Sequence, residues 1–474
     1  MKHLAFLFLI LQISPVNAKI WQVGPTRTYL VPSAVSNLVA DGDTVEIDAG
    51  LYTGDVAKWV ANYLIIKSVG GGYAHLEAAG NHAEGKAIWV IKGAYCTVEG
   101  IEFSGCQVPD HNGAGIRQEG LNLTLRNCYF HHNEMGILTS NDGMSNFLFE
   151  SCEFSFNGYG DGYSHNVYVG NVLSLQMRYC YSHDAHIGHL VKSRARHNYL
   201  LYNRFTGENG DGSYEVDLPN GGEAFLIGNL IEQSPNSQNG GIISFGLENQ
   251  SHPEQRIILS HNTIVNDRFD GRFLQFSNAT EHVIIYNNLI LGPGTLLQGS
   301  PATLDSSHNI RLTNIADAML TDPANYDYHL LANSPCVDAG FAAGIWFDFQ
   351  MTPNRDYLHP RSFNARVIFG AAEDVGAYEF KPQSLTEEAW IGGEGLTIFP
   401  NPVAKGDVLN IQVNEPMPVR TQFFLFDIVG NLVQKADCQR GQSTFQMSLE
   451  QLQSGTYFLW GQGLESAKAV QIQR

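Results

Sequence analysis

Thr124-Leu-Arg-Asn-Cys-Tyr-Phe130 and Leu148-Phe-Glu-Ser-Cys-Glu-Phe154 are one phrase written twice, 24 residues apart. It also occurs as Thr97-Val-Glu-Gly-Ile-Glu-Phe103. Looser copies are Leu200-Leu-Tyr-Asn-Arg-Phe205, Leu226-Ile-Gly-Asn-Leu-Ile231, Ser260-His-Asn-Thr-Ile264 and Tyr286-Asn-Asn-Leu-Ile290. Aligned, they give a column Ile101, Cys128, Cys152, Cys180, Asn203, Asn229, Asn262, Asn288, with steps of 23 to 33 residues. Two positions on, the column reads Phe103, Phe130, Phe154, Ser182, Phe205, Ile231, Ile264, Ile290.

A period of this length means a solenoid, a propeller or an array. Each repeat holds short strands rich in β-branched and aromatic residues, broken by Gly, Asn and Asp. No repeat contains a helical stripe, which excludes leucine-rich and ankyrin-like solenoids. A propeller blade needs roughly 40 residues, more than these repeats hold. The fold class is therefore all-β: a parallel β-helix solenoid, each turn adding one rung per sheet. A column of like residues becomes a stack about 4.8 Å apart. Phe over Phe packs the core, and Asn over Asn bonds amide to amide. The Cys column is expected to hold buried reduced thiols rather than metal ligands.

The repeat is clearest over residues 101–290. Before it, Asp41-Gly-Asp-Thr-Val-Glu-Ile-Asp-Ala-Gly-Leu-Tyr52 resembles the entry of secreted right-handed parallel β-helix proteins of the pectate-lyase-like superfamily. After it, Asp327-Tyr-His-Leu-Leu-Ala-Asn-Ser-Pro-Cys-Val-Asp-Ala-Gly340 and Asp374-Val-Gly-Ala-Tyr-Glu-Phe380 resemble their closing segment. The resemblance implies a right-handed β-helix over residues 19–380 and leaves the reaction open, because this fold hosts many activities.

The ends of the chain give an address. Residues 1–18 read as a secretory signal: Lys2 and His3, an apolar run from Leu4 to Leu11, and cleavage after Ala18. No later stretch reaches the ~20 apolar residues of a membrane span. Residues 381–394 read as a linker. Over 395–474, Leu396-Thr-Ile-Phe-Pro-Asn-Pro402, Phe424-Leu-Phe-Asp-Ile-Val-Gly-Asn-Leu-Val433 and Leu452-Gln-Ser-Gly-Thr-Tyr-Phe-Leu459 resemble the C-terminal sorting domain of type IX secretion, a small β-sandwich. A carbohydrate-binding module is the alternative for the tail. The resemblance implies a protein that is secreted or attached to the cell surface, with the type IX machinery as a partner. Seven Cys are too few for a disulfide scaffold in a chain of 474 residues. A monomer is expected. The net charge of −19 argues against nucleic acid.

Against that charge, Lys192, Arg194, Arg196 and Arg204 fall in one short stretch without an acid, where an even spread of 28 basic residues would put fewer than one. Such a local row suits an anionic partner, a uronate polysaccharide. Cleaving one by β-elimination needs cations to neutralise the carboxylate, a base for the C5 proton and an acid for the leaving oxygen. Lys192, Arg194, His165 and His189 are the candidate catalytic residues. Arg196, Asn166, Tyr168, Tyr214, Glu215 and Asp217 are the candidate substrate contacts. The neighbouring cations are expected to depress the Lys192 pKa.

Ile187-Gly-His-Leu-Val-Lys-Ser-Arg-Ala195 is similar to the Lys-Ser segment of chondroitinase B-like and alginate lyases, which implies Lys192 as base and calcium as a cofactor. The second catalytic Arg of those lyases has no match in Ser213-Tyr-Glu-Val-Asp217, and their calcium acids are not placed, so no metal ligand is assigned. Ser164-His-Asn166 with the same row faintly resembles mannuronan C5-epimerases, implying His165 and Arg194 as a pair. A glycoside hydrolase using carboxylates among Asp161, Asp184, Glu215 and Asp217 is an alternative. So are a non-catalytic polysaccharide-binding or adhesion protein, a solvated structural row, and a metal held by His183, His186 and His189.

One tension stands. The apolar column Ile116, Ile137, Val167, Leu190, Tyr214, Ile242, Phe273 should face the core, and alternation then puts Lys192 inward. Either the chain turns a corner at Lys192, the favoured reading, or Lys192 meets an acid such as Glu215.

Overall fold

The computed structural model describes residues 18–381, 396–404, 408–413, 421–427, 432–439, 441–449, 452–461 and 468–473. The expected signal peptide falls outside them except for Ala18, and the expected linker except for Lys381. The chain divides into two compact units, the first ending at Phe380 and the second starting at Lys381.

The first unit is a parallel β-helix. A 10-stranded sheet runs from Ala57–Trp59 through Val167–Val169, Val191–Ser193 and Val216–Leu218 to Thr295–Gln298. The other sheet has 21 strands and is creased lengthwise into two faces. At the crease each coil spends one residue in the left-handed region: Asn127 (φ 48°), Ser151 (54°), Tyr179 (58°), Tyr202 (56°), His261 (52°) and Asn287 (54°) among them. Left-handed backbone bends the chain within two residues and suits Asn and His better than most side chains. The next residue in every case belongs to the Cys/Asn column, so the same corner is built in each coil.

That column does what its residue types allow. The Asn203 amide nitrogen donates to Asn229 Oδ1 (3.0 Å), Asn229 to Asn262 (2.9 Å), Asn262 to Asn288 (2.9 Å), and Asn288 to Asn309 (2.9 Å). Each backbone N–H bonds the same oxygen. Fully bonded, a buried amide ladder fixes the register; half bonded it would be costly. The Cys residues are free and buried, and burial pushes the Cys128 and Cys180 thiols well above their usual range.

The aromatic column stacks as expected. Phe130 pairs in register with Phe103 and Phe154. Their ring centroids lie 5.0 and 4.9 Å apart at 15° and 7°. Residues 326–380 close this unit around Arg366, which bonds Asp356 and Glu379.

Among its described residues, the second unit is a sandwich of a three-stranded sheet and a five-stranded sheet. Its core holds Leu409, Ile411, Phe423, Leu425, Met447 and Leu459.

The inward column of the 10-stranded sheet departs from expectation. It reads Ile116, Ile137, Val167, then Val191, Val216, Ile243 and Leu274. The expected column slips at Leu190. A one-residue slip exchanges faces, so Lys192 points outward from mid-strand. The corner follows it, at Arg194 to Arg196.

Candidate active site

Lys192 occupies the centre of strand Val191–Ser193, facing Tyr168 on one neighbour and Asp217 on the other. Parallel register brings these three side chains together from adjacent coils. Lys192 Nζ lies 3.0 Å from Asp217 Oδ2 and 2.9 Å from Glu248 Oε1. Arg194 lies on the same side, where Nε donates to Tyr168 Oη (3.1 Å), Nη1 to Asn220 Oδ1 (2.7 Å) and Nη2 to Glu248 Oε2 (2.5 Å). One carboxylate, Glu248, thus bridges both cations. Its side chain is 48% exposed, whereas that of Lys192 is 10% exposed.

Glu248 belongs to an insertion missed in the sequence. The loop between strands Gly241–Phe245 and Gln255–Ser260 is tied down by Gly246 N to Leu218 O and by Glu248 N and Asn249 N to Pro219 O. His252 Nε2 reaches Arg194 O (3.0 Å). A signal existed: the step from Asn229 to Asn262 is the longest in the column, at 33 residues. Extra residues in a solenoid coil must leave the rungs as a loop.

The electrostatics differ from expectation too. Burial disfavours the Lys192 ammonium, but Asp217 and Glu248 outweigh it and raise its pKa. Neighbouring cations do not depress it, because the acids stand closer. The same cations hold the Glu248 carboxyl below its ordinary range against burial.

His165 and His189 lie beside the row, stacked at 4.4 Å and 11°. Burial drives His165 well below its ordinary pKa and His189 to about 4, so both rings are neutral near pH 7. Each Nδ1 accepts a backbone N–H, from His189 (3.0 Å) and from Tyr214 (3.3 Å) respectively. The ring proton is therefore on Nε2 in both. His189 Nε2 points at Asp217 Oδ2 (3.5 Å). With Nδ1 engaged and Nε2 protonated, these rings are fixed hydrogen-bond donors and poor bases. Tyr214 packs edge-on against His189 (5.2 Å).

Three expected contacts lie elsewhere. Asn166 is buried in a second amide ladder: its Oδ1 accepts from Asn157 (2.9 Å) and its Nδ2 donates to Phe154 O, Ser182 Oγ and His183 O. Glu215 is buried where the chain enters its strand, takes a bond from Gln233 (3.3 Å), and has its pKa raised well above normal by burial. It does not meet Lys192; Asp217 takes that place. Arg196 forms a separate bidentate pair with Glu254 (2.9 and 2.6 Å). Arg204, the fourth basic residue, sits on the creased sheet with Glu208.

His183 bonds Asp184, His186 bonds Asp211 and His189 stacks on His165, so the three imidazoles do not converge. Glu215 is turned into the core and Asp184 to the wall carrying His183, so neither faces Asp217 as a hydrolase pair. Calcium needs six to eight oxygens. The carboxylates at the row are already bonded by Lys192 and Arg194, so these residues do not fit it.

The face continues beyond Asp217. Its outward column runs on through Ser244 and Gln275 to Gln298. There Gln275, Gln298, Asn278, Ser277 and Leu247 border a cavity of about 550 Å³.

Residues 66–214 match the family model of the right handed beta helix region, and residues 397–471 that of the secretion system C-terminal sorting domain. The chain is a right-handed parallel β-helix protein with a C-terminal sorting domain. That domain marks this β-helix protein for type IX export, to the cell surface or beyond. No curated protein matches the sequence. A solved structure of a PL6-family alginate lyase variant is similar at 11% identity and a TM-score of 0.26, over 77% of this chain. The β-helix protein spans 57% of that chain's length. A likeness at that level bears on neither substrate nor catalytic residues.

Proposed function

We propose that the protein binds a uronate-containing polysaccharide along the outer face of the 10-stranded sheet and cleaves it by β-elimination at Lys192. The observation that carries this reading is the pairing of Lys192 and Arg194 with a single exposed carboxylate, Glu248. Two cations arranged around one internal carboxylate form a receptor for another. A uronate carboxylate displacing Glu248 would keep both bonds.

The chemistry follows from that placement. Neutralising the carboxylate makes the C5 proton removable and stabilises the enediolate. Lys192, once it has lost its own proton to solvent, takes the C5 proton, while Arg194 keeps the carboxylate neutralised and Asp217 holds the amine in place at 3.0 Å. The C4–O4 bond breaks, a C4=C5 double bond forms, and O4 takes a proton from Tyr168, whose oxygen Arg194 already holds. His165 and His189 contribute fixed Nε2–H donors. The polar cavity at Gln275 and Gln298 gives further sugars a place to lie. A second reading, binding without turnover, draws on the two acids that keep Lys192 charged.

The deciding experiment incubates the exported protein with a panel of anionic polysaccharides and follows the ultraviolet absorbance of unsaturated uronate ends. Appearance of that chromophore, lost in Lys192→Met, supports the lyase. Binding of the same polymers without it supports the binder.

A further inference from the structure

The creased sheet carries a second cluster, unrelated to the basic row. His75, Glu102 and His131 come from three successive coils, on strands Ile65–Glu77, Ile101–Ser104 and Tyr129–His131. His75 pairs directly with Glu102, and His131 lies one rung further and two positions along. Their ligand-type atoms all lie within 4.8 Å of one another. Glu102 Oε1 is 2.9 Å from His131 Nε2 and 3.7 Å from His75 Nδ1. Tetrahedral zinc, with bonds of about 2.0–2.2 Å, sets its ligand atoms a little over 3 Å apart. The observed separations bracket that value.

The outer nitrogens supply the second observation. His75 Nε2 lies 2.7 Å from Ser104 Oγ, and His131 Nδ1 lies 2.8 Å from His132 Nδ1. Metal-bound imidazoles characteristically donate the other ring N–H to a protein acceptor, which fixes the ring and its tautomer. Assigned so, His75 Nδ1 and His131 Nε2 are bare lone pairs aimed at the Glu102 carboxylate. Without an ion, the other tautomer of His131 lets Nε2–H bond Glu102 Oε1 at 2.9 Å, a bond that an ion would replace. Arg361, whose charge reaches Glu102, makes its own contacts to Glu153 (3.3 Å) and Tyr73. The three side chains are 16–26% exposed, leaving one side open to water.

We propose that His75, Glu102 and His131 bind one zinc-class divalent transition metal, with a fourth position open to solvent. Two imidazoles and a carboxylate select zinc, cobalt or nickel over calcium and magnesium. The ion would clip three coils together.

The test uses the full chain, stripped with chelator and titrated with Zn²⁺ or Co²⁺ alone. One equivalent should bind, Co²⁺ should give the visible band of a tetrahedral site, and Zn²⁺ should raise the melting temperature of the first unit. The double variant His75→Ala/His131→Ala should lose binding at least 100-fold. Glu102→Gln keeps the side chain's shape and should lose the cobalt band, so a folded variant decides the matter even if the double one unfolds. Ser104→Ala, removing an outer partner, should weaken binding roughly 10-fold. No stoichiometric binding, or binding unchanged in Glu102→Gln, overturns the proposal.

Discussion

Glu248 and Lys192, 56 residues apart, meet at 2.9 Å because a loop inserted in one coil folds back over the strand two coils earlier. Glu248 is a competitor for any incoming carboxylate and a source of the raised Lys192 pKa. Glu248→Gln should therefore act twice. It should tighten polyuronate binding, on the order of tenfold, because a neutral amide is easier to displace.

The same variant should move the pH profile. A lysine base works only when deprotonated, so kcat/KM should rise with pH through the alkaline range, its midpoint set by the raised pKa. Removing one of two acids lowers that pKa, and the rising limb should shift toward lower pH. A limb that stays in place in Glu248→Gln would mean another group takes the C5 proton.

Lys192→Met separates enzyme from binder. A lost base should lower turnover on the order of 10³-fold while Arg194 retains most polymer affinity. The change also strands Asp217, which is buried, and one abandoned partner of a buried pair costs about 3–5 kcal/mol. Lys192→Met/Asp217→Asn removes both charges and should recover the fold without the activity. Equal loss of binding and turnover in the double variant would favour the binding module.

The histidines give a cleaner chemical distinction. If His189 serves as an Nε2–H donor, Gln offers an N–H at a similar reach. His189→Gln should keep activity within roughly tenfold, whereas a true general base would be lost by 10²-fold or more. Parallel rate measurements on His189→Gln and His189→Ala would tell these apart.

The columns Phe103 to Ile290 and Cys128 to Asn288 were legible because stacking writes itself into sequence: each coil must offer the same side chain at the same corner. The register of Lys192 was not. The connections into the 10-stranded sheet differ in length from coil to coil, so its strands cannot be counted from the Cys/Asn column, and Leu190 was a plausible but wrong neighbour for Val167. Asn166 looked like a groove amide and is instead a ladder amide, a difference set by which side of a turn it faces. Glu248 lay too far along the chain, and His75, Glu102 and His131 occupy different columns of three coils, so only the folded rungs bring them together.

The ladder and the tail make the last prediction a contrast. Asn229→Ala removes the acceptor for Asn203 N and Nδ2 and should destabilise the helix by about 1–3 kcal/mol per stranded group. Phe130→Ala, opening a cavity between Phe103 and Phe154, should cost about 3–5 kcal/mol. Truncation after residue 394 should cost little. A solenoid coil depends on its neighbours, and the sandwich has a core of its own in Leu409, Ile411, Phe423 and Leu459. Circular dichroism and denaturant melts of a 19–394 fragment should match the first transition of the full chain, while cell fractionation should find the truncated protein retained rather than exported. A fragment with no cooperative melt would show that the β-helix needs its tail to fold.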